Sequence, residues 1–365
     1  MDDKSSTRMV AADTLRGFIA DIFATAGCAR AEADRIAHYL VAANLAGHDS
    51  HGVIRTPAYV QWLQEGLVRA GQSISIVQES AIQATVDGHY GFGQTVVPQA
   101  VDLGIAKAKA SGLSVIALRH TGHAGRIGEW AERAAAAGLV SIHFVNVPGC
   151  LLVAPFGGVD RRFSTNPFCI GVPAEEGSPL LLLDFATSLV AEGKVQVASR
   201  GGKELPEGAL IWPDGQLTTD PVALFGPLVP AGPREDSKGD GAMVAFGLHK
   251  GSGLAFMCEI LAGLLSGGGT SGPNPPGSAQ FSNCMLSIYL DPVHFGVTDF
   301  VRQAQAYVDY VKSSRPVAPG VEVLAPGEPE ARTRAERLVS GIPLQADTWA
   351  AIVNTARRLG LEPPD

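Results

Sequence analysis

This sequence has few charged and few aromatic residues, and its cysteines form no recognisable pattern. Charged side chains make up 18% of the 365 residues and aromatic ones 7%. The five cysteines are odd in number, scattered and set mostly in apolar runs, with neither a disulfide framework nor zinc-ligand spacing. These features argue against a disulfide-stapled module or a zinc finger, and they predict buried thiols in a reducing compartment.

Excess positive charge and long apolar runs are also missing. The formal net charge is -8, which argues against nucleic acid or an anionic membrane surface as a partner. The longest apolar candidate, residues 253–267, is interrupted by Glu259 and does not reach the length that spans a bilayer. Residues 1–6 lack the apolar core of a signal peptide. We therefore expect a cytoplasmic protein that binds neither membrane nor nucleic acid.

Apolar and turn-forming residues, in contrast, are abundant. The chain is 46% hydrophobic and contains 43 glycines and 24 prolines, as in a globular protein with many turns. Its length allows two or three lobes with a cleft between them. We predict a helical lobe made of residues 1–75 and 297–365, and a central sheet domain of residues 76–296.

Hydrophobic periodicity supports this division. Helical spacing appears over residues 15–23 and 31–46, the latter ending at Gly47, and again at several later positions. Further helices are predicted at 96–108, in the Ala-rich run ending at 137, after 253, and at 298–312, 332–338 and 347–359. Strands are predicted within 74–86 and at 113–118, 139–145, 168–172, 180–183 and 284–290. Residues 201–233, rich in Gly, Pro and Asp, are expected to be a long excursion over the surface, and 270–277 a flexible loop.

A glycine-rich turn between a strand and a helix superficially imitates a dinucleotide-binding unit. Its glycines, Gly122, Gly125 and Gly128, do not have the G-x-G-x-x-G spacing of a Rossmann fold, and the chain contains no P-loop. If a dinucleotide binds here, another architecture must hold it.

The densest group of reactive side chains is the segment GHDSHGV at 47–53, followed by Arg55 and Tyr59. Histidine exchanges a proton near neutral pH, and a neighbouring hydroxyl or carboxylate can fix its tautomer. Arginine can hold a carboxylate through two parallel hydrogen bonds. The segment is therefore typical of oxidation or reduction at a carbon beside a carboxylate, although a capped helix end with surface histidines would use the same residues.

A metal site is the alternative from another class of enzyme. A divalent ion for hydrolysis or aldol cleavage would have its ligands among His48, Asp49, His51, His120 and His123. Adjacent residues such as Asp49 and Ser50 point apart, and the last two histidines sit near glycines rather than on one helical face. We expect no metal.

Several blocks along the chain carry a family resemblance. They occur in this order: 47–53 (GHDSHGV), 153–158 (VAPFGG), 164–167 (STNP), 183–188 (LDFATS), 193–194 (GK), 218–221 (TTDP), 250–251 (KG) and 326–328 (PGE). Together they resemble the malate/L-lactate dehydrogenase family of the sulfolactate dehydrogenase-like type, in particular its hydroxycarboxylate dehydrogenase B or hydroxyphenylpyruvate reductase-like branch. The resemblance covers nearly the whole chain.

The resemblance implies an oxidoreductase that uses NAD or NADP to interconvert a 2-oxo acid and a 2-hydroxy acid. The substrate would be of the hydroxyphenylpyruvate, phenylpyruvate or 2-oxoglutarate type. A cyclic imino acid reductase, or a malate, lactate or ureidoglycolate-type dehydrogenase, remains an alternative. The implied fold is an α/β (α+β), non-Rossmann one, with a largely antiparallel central sheet flanked by helices, and the implied assembly is a homodimer.

The family pattern also suggests roles for individual residues. His51 would lie beside the nicotinamide and donate the proton, with Ser50 and Asp184 as orienting partners. His123 ranks second as acid/base and can contact substrate. Arg55, with Tyr59, would bind the substrate carboxylate. Each has a structural alternative: a turn residue for His51, a surface position for Arg55, and an N-cap of the following helix for Asp184.

Cofactor residues are carried over from the same resemblance. Beside His51 they are Gly125, Arg126, Ile127, Leu182, Leu183, Asp184, Phe185, Ala186, Lys250, Asn283, Gly327, Glu328, Pro329 and Glu330. Glycine lets a backbone approach a pyrophosphate, and a helix start offers free N–H groups. Lys250 is equally typical of a solvated helix start. Ala124 and Ser252 replace larger family residues, which predicts a wider pocket, and residues 233–244 match no family block.

Overall fold

The computed structural model describes residues 7–175, 179–199, 204–227, 238–273 and 281–364. The α-helices are α1 Ala12–Thr25, α2 Arg30–Leu45, α3 Thr56–Gln64, α4 Gly93–Ser111, α5 Gly128–Ala136, α6 Glu192–Ser199, α7 Val222–Phe225, α8 His249–Cys258, α9 Phe300–Lys312, α10 Glu328–Ser340 and α11 Ala346–Arg358. Shorter 3-10 turns span Asp49–His51, Val53–Arg55 and Pro292–Phe295, and a π-helix spans Glu259–Leu264.

The strands are β1 Thr7–Val10, β2 Ser75–Glu79, β3 Gln83–Gly91, β4 Leu113–Thr121, β5 Val140–Asn146, β6 Val153–Ala154, β7 Phe168–Pro173, β8 Pro179–Phe185, β9 Leu210–Ile211, β10 Leu217–Thr218, β11 Ala242–Val244, β12 Asn283–Leu290 and β13 Ile342–Gln345. Most of the predicted helices and strands are present at nearly the expected positions. No helix among the described residues is long and apolar enough to cross a bilayer.

The main sheet contains seven strands in the order β2-β3-β4-β12-β5-β7-β8. β3 and β4 run parallel, and every other neighbouring pair in this sheet is antiparallel. Helices α4 and α5 pack against it, with Val97, Val101 and Trp130 buried in its apolar core. The predicted fold class, a largely antiparallel sheet flanked by helices, is thereby confirmed.

A second hydrophobic cluster joins the two ends of the chain. The apolar positions that predicted α1, such as Leu15, Ile19 and Ile22, are fully buried in it, together with Leu40 of α2. Ile352 of α11 belongs to the same cluster. Strand β1 pairs antiparallel with β13, so the N-terminal and C-terminal elements pack on one another.

A third hydrophobic cluster lies around a four-stranded sheet, β10-β9-β11-β6. It buries Leu205, Leu210, Leu224 and Phe225, all at 7% exposure or less. The expectation of a surface excursion over 201–233 is therefore wrong for 204–227, because these apolar side chains pack into a core. Arg161 braces the neighbouring segment by donating hydrogen bonds to the carbonyls of Gly239 and Gly241, and Thr270 to Gly277 lies partly outside the described residues.

Candidate active site

The turn that carries His51 is built on the end of α2. The Asn44 amide accepts a hydrogen bond from the backbone N–H of Val53 (2.8 Å) and donates one to Asp49 Oδ1 (2.6 Å). Gly52 is needed at this point, because a Cβ on it would lie 2.2 Å from Asn44 Oδ1. One buried side chain therefore folds residues 49–53 into two successive 3-10 turns leading into α3.

The same turn is held from the other end of the chain. Both oxygens of Asp49 accept hydrogen bonds from the Arg337 guanidinium of α10, at 2.7 and 3.1 Å. His48 Nε2 lies 3.3 Å from Glu330 Oε1, and this contact lowers the pKa of the glutamate. Asp49 and His48 therefore brace the turn against α10.

The rings of His51 and His123 stack on each other. Their centroids are 5.2 Å apart and their planes differ by 13°. Nδ1 of His51 is buried and has no hydrogen-bond partner. Desolvation, then the positive charge of Arg55, lowers the pKa of His51 to about 3, and the same two causes hold that of His123 well below its usual range. Both imidazoles are therefore neutral at physiological pH.

Tyr59 fixes the second imidazole. Its hydroxyl lies 2.5 Å from Nδ1 of His123, and Gln94 Nε2 donates to the same hydroxyl at 3.3 Å. Burial raises the pKa of Tyr59 to about 12, so the phenol keeps its proton. Because the phenol accepts from Gln94, we assign its proton to the bond with His123 Nδ1. That bond leaves the N–H of His123 on Nε2.

The main chain around His123 is fixed by Asn283. Its Oδ1 accepts from the N–H of Ala124 (2.7 Å), and its Nδ2 donates to the carbonyl of Asn146 (3.2 Å). Asn283 is 3% exposed. Both ends of the amide are therefore bonded to the protein, and Asn283 positions the His123 turn. Its expected contact with the cofactor stays a prediction.

Arg55 lies near both imidazoles and belongs to the second 3-10 turn. Its Nε donates to the carbonyl of Ser50 (2.7 Å), and Nη2 lies 3.4 Å from Glu192 Oε2. Ser50 is also pressed against α6, since a Cβ on Gly193 would lie 2.4 Å from its Cβ. The structure thus brings Ser50, His51, Arg55, Tyr59 and His123 together, as the sequence predicts.

Asp184 has a different partner from either predicted one. Its Oδ2 accepts a hydrogen bond from the backbone N–H of Gly128 (2.7 Å), the first residue of α5. The described contacts join it neither to His51 nor to the start of its own following helix. Because a carboxylate stabilises exposed N–H groups at a helix start, Asp184 caps a helix that precedes it in the chain. Its expected orienting and cofactor-binding roles stay predictions.

Arg126 is held in the core by two carboxylates, and its expected contact with the cofactor stays a prediction. Its side chain is 2% exposed and pairs with Glu129 (3.0 Å) and Glu132 (2.9 Å). These carboxylates raise its pKa above the usual value despite burial. The guanidinium is therefore committed to the core. Ile127 is buried as well, and Gly125 adopts φ +74°, so any cofactor contact by this turn falls to its backbone.

Two other segments predicted to hold the cofactor are adjacent. The N–H of Leu182 donates to the carbonyl of Pro326 (3.0 Å), and a Cβ on Gly327 would touch Leu182. The β8 end with Leu183, Phe185 and Ala186 therefore lies beside the first turn of α10, which contains Glu328, Pro329 and Glu330. Lys250 is exposed in the first turn of α8.

The five candidate metal ligands do not converge. His120 pairs with Asp87 at 2.9 Å and stacks on Tyr90, whereas His48 and Asp49 pair with α10. Among the described residues no three His, Cys, Asp or Glu side chains are grouped to hold an ion.

Four residues that shape this site were not predicted from the sequence: Asn44, Gln94, Glu192 and Arg337. Each acts on a functional residue that lies far away in the chain or on another element. Only Glu192 carried a signal, since it directly precedes the Gly193-Lys194 block.

Comparison with known proteins gives concordant matches along the chain. The malate/L-lactate dehydrogenase family profile matches residues 10–353. Hydroxycarboxylate dehydrogenase B of Escherichia coli O157:H7 is 44% identical over 353 residues, covering 96% of this chain and 94% of the relative. A Δ1-pyrroline-2-carboxylate/Δ1-piperideine-2-carboxylate reductase of Pseudomonas putida is 33% identical over 308 residues, with coverages of 82% and 84%.

The fold agrees with these sequence matches. The structure of malate dehydrogenase from Pyrococcus horikoshii OT3 superimposes with a TM-score of 0.85 at 29% identity, covering 100% of this chain and 98% of that one. The chain belongs to the malate/L-lactate dehydrogenase family. It is an oxidoreductase that acts on 2-hydroxy acids, as the resemblance implied.

Proposed function

We propose that this enzyme interconverts an aromatic or otherwise bulky 2-oxo acid and its 2-hydroxy acid with NAD or NADP. Family membership supports the reaction class. The observation that carries the assignment to this site is the stack of two neutral imidazoles beside Arg55. A carboxylate bound by the arginine would place the neighbouring carbon and its oxygen close to both rings.

His51 is the proposed proton carrier. Its unpartnered, buried Nδ1 shows that the ring has capacity for a hydrogen bond that the described protein does not use. A neutral imidazole can accept the hydroxyl proton when the 2-hydroxy acid is oxidised. In the reverse direction the protonated ring returns that proton to the developing alkoxide. Nε2–H of His123 would donate a hydrogen bond to the same oxygen and stabilise its negative charge.

The residues near the stack fit a nicotinamide cofactor. Dehydrogenases of this family use NAD or NADP, which supplies or accepts the hydride when bound. The end of β8, the first turn of α10 and the backbone of the Gly125 turn are the proposed binding segments. The small residues Ala124 and Ser252, which stand where the family resemblance has larger ones, support a substrate of the phenylpyruvate or hydroxyphenylpyruvate type, with 2-oxoglutarate as a further candidate.

A cyclic imino acid reductase is the second candidate. The Pseudomonas putida relative is named for reduction of such substrates, and these compounds also place a carboxylate beside the reducible carbon.

Two proposals concern the whole protein. The chain would divide into a helical lobe of residues 1–75 and 297–365 and a central sheet domain of residues 76–296, and the protein would be located in the cytoplasm.

We also propose that two copies associate through the helix formed by α8 and the π-helix that follows it. One face of this helix exposes Phe256, Met257, Ile260, Leu264 and Leu265. A cluster of large apolar side chains of this kind is typical of a protein interface. Sedimentation should give a dimer for the native chain and a monomer for Leu264→Glu.

A screen of 2-oxo acids and cyclic imino acids with NADH and NADPH, followed by loss of absorbance at 340 nm, tests the catalytic proposal. Turnover of phenylpyruvate or hydroxyphenylpyruvate is expected, and it should survive EDTA because hydride transfer needs no metal ligand set. A folded protein that turned over none of these acids would contradict the proposal. Loss in EDTA with recovery in zinc or manganese would favour the metal alternative.

A further inference from the structure

The guanidinium proposed to hold the substrate already has a carboxylate beside it. Glu192 Oε2 lies 3.4 Å from Arg55 Nη2, and the two side chains are 27% and 25% exposed. Nε of the same guanidinium is used by the carbonyl of Ser50. The cation that would attract a carboxylate is therefore partly neutralised within the protein.

Glu192 reaches Arg55 from a different hydrophobic cluster. It is the first residue of α6, which is anchored by the fully buried Val195 in the cluster around the four-stranded sheet. The next residue, Gly193, is pressed against Ser50 of the His51 turn. This tight contact holds the first turn of α6, and with it the carboxylate, against the His51 turn and Arg55.

The contact is of a kind that a ligand can replace. An ion pair with about a quarter of each side chain exposed and a single contact of 3.4 Å is weak, because solvent still reaches and screens both charges. A substrate carboxylate that makes paired, charge-assisted hydrogen bonds to the guanidinium is the stronger partner. Once displaced, Glu192 remains near the bound anion, since α6 is packed in place.

We propose that Glu192 is a specificity-determining residue that competes with the substrate carboxylate for Arg55 and disfavours dianionic 2-oxo acids. This inference rests on the proposed function, in which Arg55 binds that carboxylate. The repulsion from a fixed negative charge grows with the charge of the ligand. A monoanion such as phenylpyruvate is therefore preferred over a dianion such as 2-oxoglutarate.

The test combines binding and kinetics in Glu192→Gln and in Glu192→Asp, which keeps the charge on a shorter side chain. Oxamate, which has the carboxylate and adjacent carbonyl but is not reduced, is titrated by calorimetry. For Glu192→Gln we expect its Kd, and the KM for phenylpyruvate, to fall about threefold to fivefold. KM for 2-oxoglutarate should fall roughly twice as far on a logarithmic scale. Glu192→Asp should lie between the two proteins.

Two controls separate this effect from general changes. Glu207→Gln removes the same charge from an exposed position and should leave both KM values unchanged. In an Arg55→Ala background, Glu192→Gln should give a clearly smaller gain, because only direct repulsion between Glu192 and the ligand is left to relieve. The gain should also shrink at 0.5 M salt, where charges are screened over a few ångströms.

The outcomes distinguish this inference from the proposed function. If the native enzyme turns over 2-oxo acids but Glu192→Gln leaves oxamate Kd and both KM values unchanged, competition by Glu192 is refuted and the proposed function stands. If no 2-oxo acid is turned over yet oxamate binding tightens in the variant, the competition at Arg55 stands and the proposed function falls. An undiminished gain in the Arg55→Ala background would also refute the inference.

Discussion

The two stacked imidazoles are held in opposite ways. The ring of His123 is fixed through Nδ1 by Tyr59, which is itself held by Gln94. The backbone before His51 is braced by Asn44 and Arg337, yet Nδ1 of the His51 ring has no hydrogen-bond partner among the described residues. The protein therefore sets the tautomer of one histidine and leaves the protonation of the other to the bound ligand. This difference suits a fixed hydrogen-bond donor beside a proton carrier.

Replacing each of the two histidines in turn by glutamine should give the largest effect on kcat. His51→Gln is expected to lower kcat by about a hundredfold or more, because positioned acid/base groups contribute that much. Cofactor affinity, measured by nicotinamide fluorescence titration, should change far less. His123→Gln should cost less, since its amide can still donate a hydrogen bond. Near-normal kcat in His51→Gln with a collapse in His123→Gln would reverse the two assignments.

Arg55→Lys should separate substrate binding from proton transfer. Lysine keeps the charge but cannot form two parallel hydrogen bonds to a carboxylate, so KM for the 2-oxo acid should rise about tenfold with a smaller change in kcat. Steady-state kinetics with one substrate at saturating cofactor measures both. An unchanged KM would show that the carboxylate binds elsewhere.

Tyr59→Phe should make the two imidazoles more alike, because His123 would then also lack a hydrogen bond that fixes its tautomer. It removes the hydrogen bond that holds the His123 tautomer but keeps the ring that packs against Phe23 and Phe92. We expect kcat to fall roughly threefold to tenfold, as for loss of about one hydrogen bond. Tyr310→Phe, at an exposed position, is the matched control and should behave as the native enzyme. Equal kcat in the two variants would mean that the Tyr59 bond has no catalytic role.

The stability of the fold at acid pH should show the smallest effect. It tests a property that His51 and His123 share with a third histidine, His143: a pKa lowered by burial. Burial lowers the pKa of His143, which lies between Ser141 and Ser287, to about 3, as it does for His51. Between about pH 6.5 and 3 the unfolded chain binds protons that these folded-state imidazoles do not, so their contribution to stability is lost as pH falls.

Urea unfolding at pH 7, 6 and 5 measures this loss. Each such histidine adds up to about 1.4 kcal/mol per pH unit to the slope. His143→Gln and His51→Gln should each flatten the dependence by a similar amount. An unchanged slope in both would mean that these rings titrate normally in the folded protein.

The fold and much of the candidate site could be predicted from local patterns. Helix α1 follows from its apolar spacing, and the segment from Ser50 to Tyr59 is close in sequence, so its side chains meet over a few turns. The hydrogen-bond and ion-pair partners of Asp184 and Arg126 could not be predicted in this way. A helix cap and a buried ion pair use the same residue types as an active site, and only tertiary contacts tell them apart.

The third hydrophobic cluster, around the four-stranded sheet, could not be predicted from the sequence for a related reason. Between positions 204 and 227, short apolar runs such as Leu210–Ile211 and Val222–Phe225 are separated by Gly, Pro and Asp. Such runs are too short to show periodicity, and their burial depends on pairing with β11, which lies farther along the chain.

The pairing of Asp49 with Arg337 has a consequence for how the enzyme is made. The two residues are 288 positions apart, and β1 and β13 lie even farther from each other in sequence. Contacts of such long separation form late. While the chain is being synthesised, the His51 turn lacks its guanidinium until nearly the whole protein has been translated. The growing polypeptide therefore completes the bracing of the His51 turn only as its last helices fold back onto the first.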